Sequence, residues 1–272
     1  MKADLHVHSV YSDGWYTPDQ ICSLAASRGI GILSITDHDT LNGETEKRQA
    51  AEKYGIRYLS GWEISAYEGR EKVHILGYGC KIGEAYRSFN EKRKLAAFER
   101  AKDSVRKFRS VGVPVTFEEV LSLLAHADSP VHTMHVARAA AKHLGRSEGD
   151  VYQEYLAPGK LAHSTIGRPT PQEAIDCIHA LGGFASIAHP GRWEKPFGEW
   201  ENAIKTLKEQ GADGIEAVYT THTAKETEYF RSLASAYGLL LTGGSDTHVE
   251  DGTHAVGSPS FSPSEALLER FF

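Results

Sequence analysis

Three side chains near the start of the chain could bind a metal ion together. His6 and His8 stand two residues apart in an apolar stretch, and Asp13 follows in a Ser-Asp-Gly turn. Successive side chains of a β-strand point to opposite faces, so histidines at i and i+2 share one face, and Asp13 can fold back over them. The spacing is typical of a metal site. On its own, it is equally typical of an edge strand with two outward-facing polar residues.

Further candidate ligands occur at or near the ends of short apolar stretches. Such stretches end near residues 35, 59, 188 and 241, and another spans residues 73–76. The candidates are His38, Glu63, His74, His189, Asp246 and His248. Barrel and open α/β enzymes build their sites at the carboxyl ends of strands. Repetition of this arrangement favours one metal centre over a set of separate core histidines.

Helices and strands alternate around these candidates. Thr17-Pro18 and Thr170-Pro171 each have the residue types of a helix N-cap and first helical position, and Gly29 is a helix stop. Another helix is expected from residue 42 or 43 to residue 54. Continuous apolar strands between helices are typical of a parallel sheet covered by helices. Seven core strands can be counted, although the sequence does not distinguish seven from eight.

Residues 83–164 interrupt this alternation, because helical segments follow one another without a strand. A long charged helix is predicted from Glu84 to Val111, followed by helices over Phe117–Ala127 and His132–Leu144. Acidic residues interleave the basic residues of the first helix, which favours a solvated, salt-bridged face over a nucleic-acid contact. We therefore predict a catalytic domain formed by residues 1–82 and 165–272, with a helical insertion at residues 83–164.

Charge and composition limit the possible partners and location. With 272 residues and a formal net charge of −6, the chain has no general attraction for a polyanion, so long nucleic acid is not expected. A local basic groove could still bind a short piece. Cys22, Cys80 and Cys177 form no CxxC pair and are expected to be free thiols in a reducing compartment. Without a signal-like start or a long apolar span, a cytoplasmic protein is predicted, with no membrane partner. The oligomeric state is not determined by the sequence.

These motifs together resemble the polymerase and histidinol phosphatase (PHP) superfamily. The motifs are DLHVHS with Asp13, ITDHDT, GWEIS, VHILGY, IAHPGR and TGGSDTH. The resemblance covers most of the chain and is strongest to stand-alone phosphoesterases that act on nucleotides and similar small phosphates. It implies an α/β fold, a distorted (β/α)7 barrel with an inserted helical subdomain. It also implies two to three divalent ions, and the ligand types suit Mn, Fe or Zn without choosing among them.

The resemblance also implies how nine side chains would divide among three ions. It would place His6, His8, Glu63 and Asp246 on one ion, Glu63, His74 and His189 on a second, and Asp13, His38 and His248 on the third. Each position carries a competent ligand. Glu63 and Asp246 are accordingly predicted to take part in catalysis.

Two more polar residues are candidates near these ligands. Arg192 follows His189 by three residues, so one turn could hold both the imidazole and a guanidinium suited to bidentate phosphate contact. We predict both a catalytic and a substrate-binding role for Arg192. Glu216 either lines the barrel or supports a ligand, and the sequence favours neither.

Candidate substrate contacts also occur in the insertion. His135 and Arg138 form a His-x-x-Arg element that resembles one in the family, although Thr133-Met134 replace its usual Arg-Pro. Lys160 occupies a similar Gly-Lys position. Each cation could instead be an exposed charge. We predict that the insertion is a lid that reads the substrate through these residues.

The predicted reaction is hydrolysis of the phosphate ester of a small metabolite. Clustered divalent ions lower the pKa of a bridging water towards 7 and polarise phosphoryl oxygens, so that a bridging hydroxide attacks phosphorus directly. A nucleoside monophosphate or 3′,5′-bisphosphate is the expected substrate. Cyclic phosphates of a sugar or nucleotide, histidinol phosphate and 5′–3′ trimming of short RNA remain alternatives. A metal-stabilised structural or binding domain is the non-enzyme alternative, and it is disfavoured because degenerate relatives would be expected to lose ligands.

Overall fold

The computed structural model describes residues 1–69, 71–126, 129–193 and 195–272. Its strands are β1 (Lys2–Val7), β2 (Ile30–Ile35), β3 (Arg57–Tyr58), β4 (Gly61–Glu68), β5 (Glu71–Tyr78), β6 (Phe184–Ile187), β7 (Gly214–Tyr219) and β8 (Leu240–Gly244). Its helices are α1 (Pro18–Ser27), α2 (Glu44–Lys53), α3 (Glu84–Ser110), α4 (Phe117–Leu121), α5 (Thr133–Leu144), α6 (Glu148–Val151), α7 (Pro171–Ala180), α8 (Trp200–Glu209), α9 (Ala224–Tyr237) and α10 (Glu265–Glu269). A π-helical turn spans Tyr152–Leu156, and 3-10 turns span Pro190–Arg192 and Phe197–Glu199.

The described strands form two sheets. One is parallel with the order β1-β2-β3, and the other has the order β4-β5-β6-β7-β8. In the second sheet β5 runs antiparallel to both neighbours, whereas β6, β7 and β8 are parallel. The predicted α/β class is confirmed in this mixed form. The finer prediction of a seven-stranded barrel is not confirmed, because these strands do not form one closed sheet.

Backbone hydrogen bonds connect the first sheet to both edge strands of the second sheet. The Asp246 amide donates to the His6 carbonyl at 2.7 Å, which brings the end of β8 beside β1. On β4, the Glu63 amide donates to the Asp37 carbonyl at 3.1 Å, and the Glu63 carbonyl accepts from the Asp39 amide at 2.8 Å, which joins β4 to the segment after β2. Each of these contacts involves a candidate metal ligand or its neighbour. The sheet edges therefore meet at the candidate site.

The β4–β5 pair corrects the predicted strand pattern. The apolar stretch that ends near residue 59 predicts a strand with Glu63 beyond its end, but β3 stops at Tyr58 and a separate strand begins at Gly61. Glu63 is therefore inside β4, and His74 lies inside β5, opposite Ser65. Apolar residues continue almost unbroken through this region, so hydrophobic periodicity did not reveal the break between the two strands.

Most predicted helix ends agree with the structure. Thr17 and Thr170 each accept a hydrogen bond from a backbone amide of the first helical turn, and Gly145 ends α5 in the left-handed conformation. The long helix α3 ends within a residue of its predicted bound. The helix predicted to reach Ala127 ends at Leu121, and Ala127 itself lies outside the described residues.

Two separate hydrophobic clusters position the site. The larger one packs β4 to β7 against α7, α8 and α9, with Ile64, Ile75, Ile187 and Ile215 at its centre. Another cluster draws all of its members from residues 98–162, including Phe108, Val120 and Val136. The helices α3 to α6 therefore pack around a core of their own.

The cysteines are free: Cys22 and Cys80 are buried and Cys177 is half-buried. Among the described residues, no helix is long and apolar enough to cross a membrane.

Candidate metal centre

Candidate ligands from both sheets converge on one buried site. The ligand atoms of His6, His8, Glu63 and Asp246 lie within 4.8 Å of one another, which is the first predicted set. A second group of the same compactness consists of His8, Asp13, His38 and His248, and a third consists of His38, Glu63 and His74. The second group contains the three ligands predicted for one ion and adds His8. The third differs from prediction by having His38 where His189 was expected.

Glu63 lies at the centre of these groups. Its Oε1 atom is 2.6 Å from His74 Nδ1 and 2.9 Å from His189 Nε2, so His189 also reaches the cluster. Its Oε2 atom is 3.0 Å from Nδ1 of His38 and 3.3 Å from Nε2 of both His6 and His8. The two oxygens of one carboxylate thus face two different sets of imidazoles. This is the arrangement required of a carboxylate that bridges two cations.

Several buried ligand atoms in the described part of the chain have no hydrogen-bond partner. They are His8 Nδ1, Asp13 Oδ1, His38 Nδ1, Glu63 Oε2, His74 Nε2, His189 Nδ1 and Asp246 Oδ1. Buried polar atoms are normally paired, because an unpaired one keeps its desolvation cost. Imidazole nitrogens and carboxylate oxygens are also the donors that divalent transition ions prefer. The residues present therefore fit a multi-metal centre.

The electrostatics of the cluster agree with this fit. Burial alone would raise the pKa of Asp246, but the neighbouring His6, His8 and His248 hold that pKa well below its usual range. Burial likewise opposes the protonated form of His8, yet hydrogen bonds and charges from Asp246 and Glu63 raise its pKa to about 9. The carboxylates are thus kept ionised and attract positive charge. A bound cation would take the place of the protons on the imidazoles.

A hydrogen-bonded turn holds the N-terminal ligands in position. Asp37 accepts from the Ser9 amide at 2.7 Å and from the Ser12 hydroxyl at 2.7 Å, and it also pairs with the fully buried Lys47. These bonds tie the loop before Asp13 to the end of β2, which carries His38. The roles of Asp37 and Lys47 are not visible in the sequence, since Asp37 lies 28 residues from its partner Ser9 and 25 from Ser12.

Glu216 supports two ligands, which resolves the choice that the sequence left open. It is fully buried on β7, and its carboxylate lies 3.0 Å from His6 Nδ1 and accepts from the His189 amide at 2.9 Å. A carboxylate on one imidazole nitrogen orients the ring and directs the other nitrogen to the metal. The Nε2 atom of His6 is the one that faces Glu63 and Asp246.

Three residues other than glycine have positive φ angles within the described chain, and all lie at the site. They are Asp39 (57°), His189 (25°) and Asp246 (52°). Such backbone conformations cost energy and are retained where surrounding contacts fix them, often at functional sites. His189 and Asp246 are themselves candidate ligands, and Asp39 follows His38.

A cavity of about 830 Å³ opens over the ligand cluster. Its lining includes Asp13, His38, Glu63, His74, His189, Asp246 and His248, together with the cations Lys72, Arg138, Arg168, Arg192 and Lys195. Arg192 donates to Asp246 Oδ2 at 3.2 Å and to the Tyr219 hydroxyl oxygen at 2.9 Å. Its side chain is 54% exposed, so a guanidinium beside the ligands is open to the cavity.

The predicted contacts of the insertion have different positions. Arg138 lines the cavity, but Glu148 accepts from its Nε at 2.8 Å and the Asp13 carbonyl accepts from its Nη2 at 3.0 Å. No acid occurs three or four residues from Arg138, and Glu148 lies ten residues away in the sequence. The described lining does not include His135 or Lys160. His135 is buried, which lowers its pKa to about 4, and its Nδ1 accepts a hydrogen bond from the His132 amide. Lys160 is exposed to solvent.

A buried ion cluster beside the site was not identified from the sequence. Asp39 accepts from Arg93 on α3 and from Arg168 Nη1 at 2.8 Å, and all three side chains are at most 8% exposed. Tyr219 was also missed, although its hydroxyl donates to Asp246 Oδ2 at 2.8 Å. The positive φ of Asp39 is visible only in three dimensions. These partners are too far apart in sequence for spacing to reveal them.

A cluster of imidazole and carboxylate ligands beneath a cation-lined cavity is the site of a metal-dependent phosphoesterase. The model of the PHP domain family matches residues 4–156, and the chain belongs to that family. The resemblance identified from its motifs is therefore confirmed.

Curated relatives match nearly the whole chain. A 3′,5′-nucleoside bisphosphate phosphatase of Chromobacterium violaceum is 31% identical, over 93% of this chain and 90% of its own length. A 5′-3′ exoribonuclease of Haemophilus influenzae is 32% identical, over 94% and 93%. A phosphoribosyl 1,2-cyclic phosphate 1,2-diphosphodiesterase of Eggerthella lenta is also 32% identical, over 93% and 96%. All three are hydrolases of phosphate esters, which confirms the predicted enzyme class.

Solved structures agree with the fold over the full chain. An amidohydrolase from Chromobacterium violaceum with bound sulfate and no metal superposes with a TM-score of 0.87 at 28% identity, covering 99% of this chain and 97% of that one. A protein classed as a metal-dependent phosphoesterase from Bifidobacterium adolescentis gives 0.86 at 25% identity, covering 98% and 94%.

Proposed function

We propose that this hydrolase removes phosphate from a small nucleotide, with a nucleoside 3′,5′-bisphosphate or monophosphate as the preferred substrate. The observation that carries the proposal is the cavity over the ligands, in which Arg192 and Arg138 lie beside different metal ligands. At about 830 Å³ the cavity is in the usual range for small-molecule sites of about 300 to 1,000 Å³. The names of the curated relatives also support a phosphorylated nucleotide or sugar.

Two to three divalent ions, Mn, Fe or Zn, would be held by the nine predicted ligands. When bound, such ions supply Lewis acidity towards a phosphoryl oxygen and lower the pKa of water. Glu63 would contribute to the binding of two ions, because its two oxygens face different imidazole sets. Asp246 is kept in position by the Tyr219 hydroxyl, and Glu216 fixes the ring of His6.

Arg192 is proposed to bind the phosphate that is cleaved. Asp246 and Tyr219 both accept from its Nη1, which leaves other guanidinium donors for phosphate oxygens. A fixed guanidinium stabilises charge on non-bridging oxygens without reorganisation during the reaction. Its position beside Asp246 puts that interaction next to the metal centre.

Residues 83–164 are proposed to be a lid over a catalytic domain of residues 1–82 and 165–272. A hydrophobic core drawn from residues 98–162 and the presence of Thr133, Arg138 and Tyr152 in the cavity lining support this division. The backbone bonds between the two sheets at Asp246 and at Glu63 support the view that both sheets act together as one distorted barrel. Substrate contacts by His135 and Lys160, and the cytoplasmic location, stay predictions.

A substrate panel tests the proposal. The Mn-loaded protein is assayed with adenosine 3′,5′-bisphosphate, AMP, a ribose cyclic phosphate, histidinol phosphate and a short 5′-phosphorylated RNA. We expect the highest kcat/KM with one of the two mononucleotides. A higher value with the cyclic phosphate, histidinol phosphate or RNA would replace the proposed substrate class by that one.

A further inference from the structure

Trp15 is the exposed tryptophan of this protein, and it lies at the cavity. Trp15 is 58% exposed, whereas Trp62, Trp193 and Trp200 are at most 6% exposed. All four tryptophans of the chain are among the described residues. Trp15 also lines the cavity that contains the candidate metal ligands, two residues after Asp13. An exposed indole that lines a cavity can offer a large, flat contact area to a bound ligand.

The backbone that carries Trp15 is fixed by contacts with the ligand loops. The Trp15 amide donates to the His248 carbonyl at 2.9 Å, and the Gly14 amide donates to the Ser9 carbonyl at 3.1 Å. A Cβ atom at Gly14 would lie 2.4 Å from the His8 carbonyl oxygen, so the turn needs glycine there. The indole is therefore presented from a rigid turn that is bonded to the metal centre.

Arg138 fixes the ring itself. Its guanidinium lies over the indole, with the carbon atom 5.2 Å from the ring centroid, in the range of a cation–π contact. Glu148 and the Asp13 carbonyl hold the guanidinium in place. One face of the indole is thus covered by a fixed cation, while more than half of the residue stays accessible.

We propose that the indole of Trp15 stacks on the nucleobase of the substrate while the metal centre binds its phosphate. This proposal rests on the proposed nucleotide substrate and makes it more specific. Stacking of a base on an aromatic side chain is sequence-tolerant, because every base has a π face. The interaction would select nucleotides over phosphate esters without a ring, and it would discriminate little among the bases.

Substitutions at Trp15 test the proposal. The kcat/KM for adenosine 3′,5′-bisphosphate is divided by that for glycerol phosphate, which has no ring to stack. We expect this ratio to fall about 5- to 100-fold in Trp15→Leu, mainly through KM for the nucleotide, and to be largely retained in Trp15→Phe. Phe197→Leu is the matched control, since Phe197 is 43% exposed and is not among the described lining residues. It should leave the ratio at the wild-type value.

Tryptophan fluorescence provides a readout that does not require turnover. Because the other tryptophans are buried, AMP added to the metal-loaded protein should quench the accessible emission in a saturable way, and ribose 5-phosphate should not. The effect should be absent in Trp15→Phe. An unaltered substrate ratio in Trp15→Leu with nucleotides still hydrolysed would overturn the stacking proposal alone. Quenching by AMP in a protein that hydrolyses no nucleotide would instead overturn the proposed function and leave the stacking intact.

Discussion

Glu63 is the residue that would join the two halves of the proposed metal centre. Its two oxygens face His74 and His189 on one side and His38, His6 and His8 on the other. Of the carboxylates in the ligand cluster, His248 lies near Asp13 and Asp246 rather than Glu63; its ring also stacks on His8, and it is partly exposed. Loss of the bridging carboxylate should therefore disturb more than one ion, whereas a terminal imidazole can be replaced by water.

At saturating metal, we expect the kcat of Glu63→Gln to be lower than the kcat of His248→Ala by a factor on the order of ten. Steady-state kinetics with Mn, accompanied by elemental analysis of each variant, would measure the difference. Equal residual rates with equal metal content would contradict the bridging role.

Glu216 gives a second prediction, concerning metal affinity. Glu216→Gln keeps the shape of the side chain but removes the charge that orients His6 and supports the His189 amide. Supporting carboxylates of this kind are worth about 10- to 100-fold in metal affinity or activity. We expect a metal titration of activity to shift to higher concentration by that factor, with most of kcat recovered at saturation. An unshifted titration curve would show that Glu216 does not tune the ligands.

The individual ligands could be predicted from the sequence because each lies in a short local motif. His6, His8 and Asp13 fall within eight residues, and Asp246 and His248 are two apart. The residues that hold these ligands in position could not be predicted, since Glu216 is 210 residues from His6 and Arg168 is 129 residues from Asp39. Spacing along one chain reveals local geometry and carries no information about such pairs.

The element that joins the insertion to the metal site is α3. Arg93 on this helix pairs with Asp39, which also accepts from Arg168, and Asp39 directly follows the candidate ligand His38. Removing one partner of a buried ion pair leaves the others uncompensated, at a cost of about 3 to 5 kcal/mol.

We expect Asp39→Asn to lower the free energy of unfolding by about 3 to 5 kcal/mol, as measured by urea denaturation. Glu99→Gln on the same helix is the control, because the Glu99–Lys102 pair is exposed and should matter little. If the two substitutions have similar effects, Asp39 is not the anchor of α3.

Arg138 on helix α5 allows a test of whether the insertion acts as a lid that contacts the substrate. Arg138→Ala should lower kcat/KM for the preferred nucleotide by on the order of 10- to 100-fold, with bound metal unchanged, because a charged hydrogen bond is worth about 1.5 to 3 kcal/mol. Arg106→Ala is a suitable control, since this arginine of the insertion is 74% exposed and pairs with Asp103. An equal loss with glycerol phosphate would mean that Arg138 does not read the substrate.

At the scale of helices and strands, the helix starts could be predicted from the sequence, but the pairing of the strands could not. Helix starts at Thr17 and Thr170 were predictable because a capping side chain acts within one turn. The antiparallel β4–β5 pair was not, because the direction in which two strands pair depends on the path of the chain rather than on apolar content. The same apolar residues would suit a strand of either direction.

At the scale of the molecule, negative net charge and a cation-lined cavity occur together. The formal charge of −6 repels long polyanions, while Lys72, Arg168 and Arg192 line the cavity over the ligands. This combination favours a small anion that enters the cavity over a long strand bound along the surface. A chain with this distribution should show weak dependence of KM on salt for mononucleotides.

Metal removal is the prediction that involves every part of the centre. Dialysis against a chelator should abolish hydrolysis, and added Mn, Fe or Zn should restore it, because several ligand atoms have no hydrogen-bond partner among the described residues. Elemental analysis should give two to three ions per chain. Full activity in metal-free buffer would contradict the assigned centre.

The bond between the Asp246 amide and the His6 carbonyl joins residues 240 positions apart. During synthesis on the ribosome, His6 and His8 emerge long before Asp246 and His248 exist. The first ligand set therefore cannot be complete until residue 246 has been translated. A translation product truncated before residue 246 would carry the opening motif without the complete first ligand set.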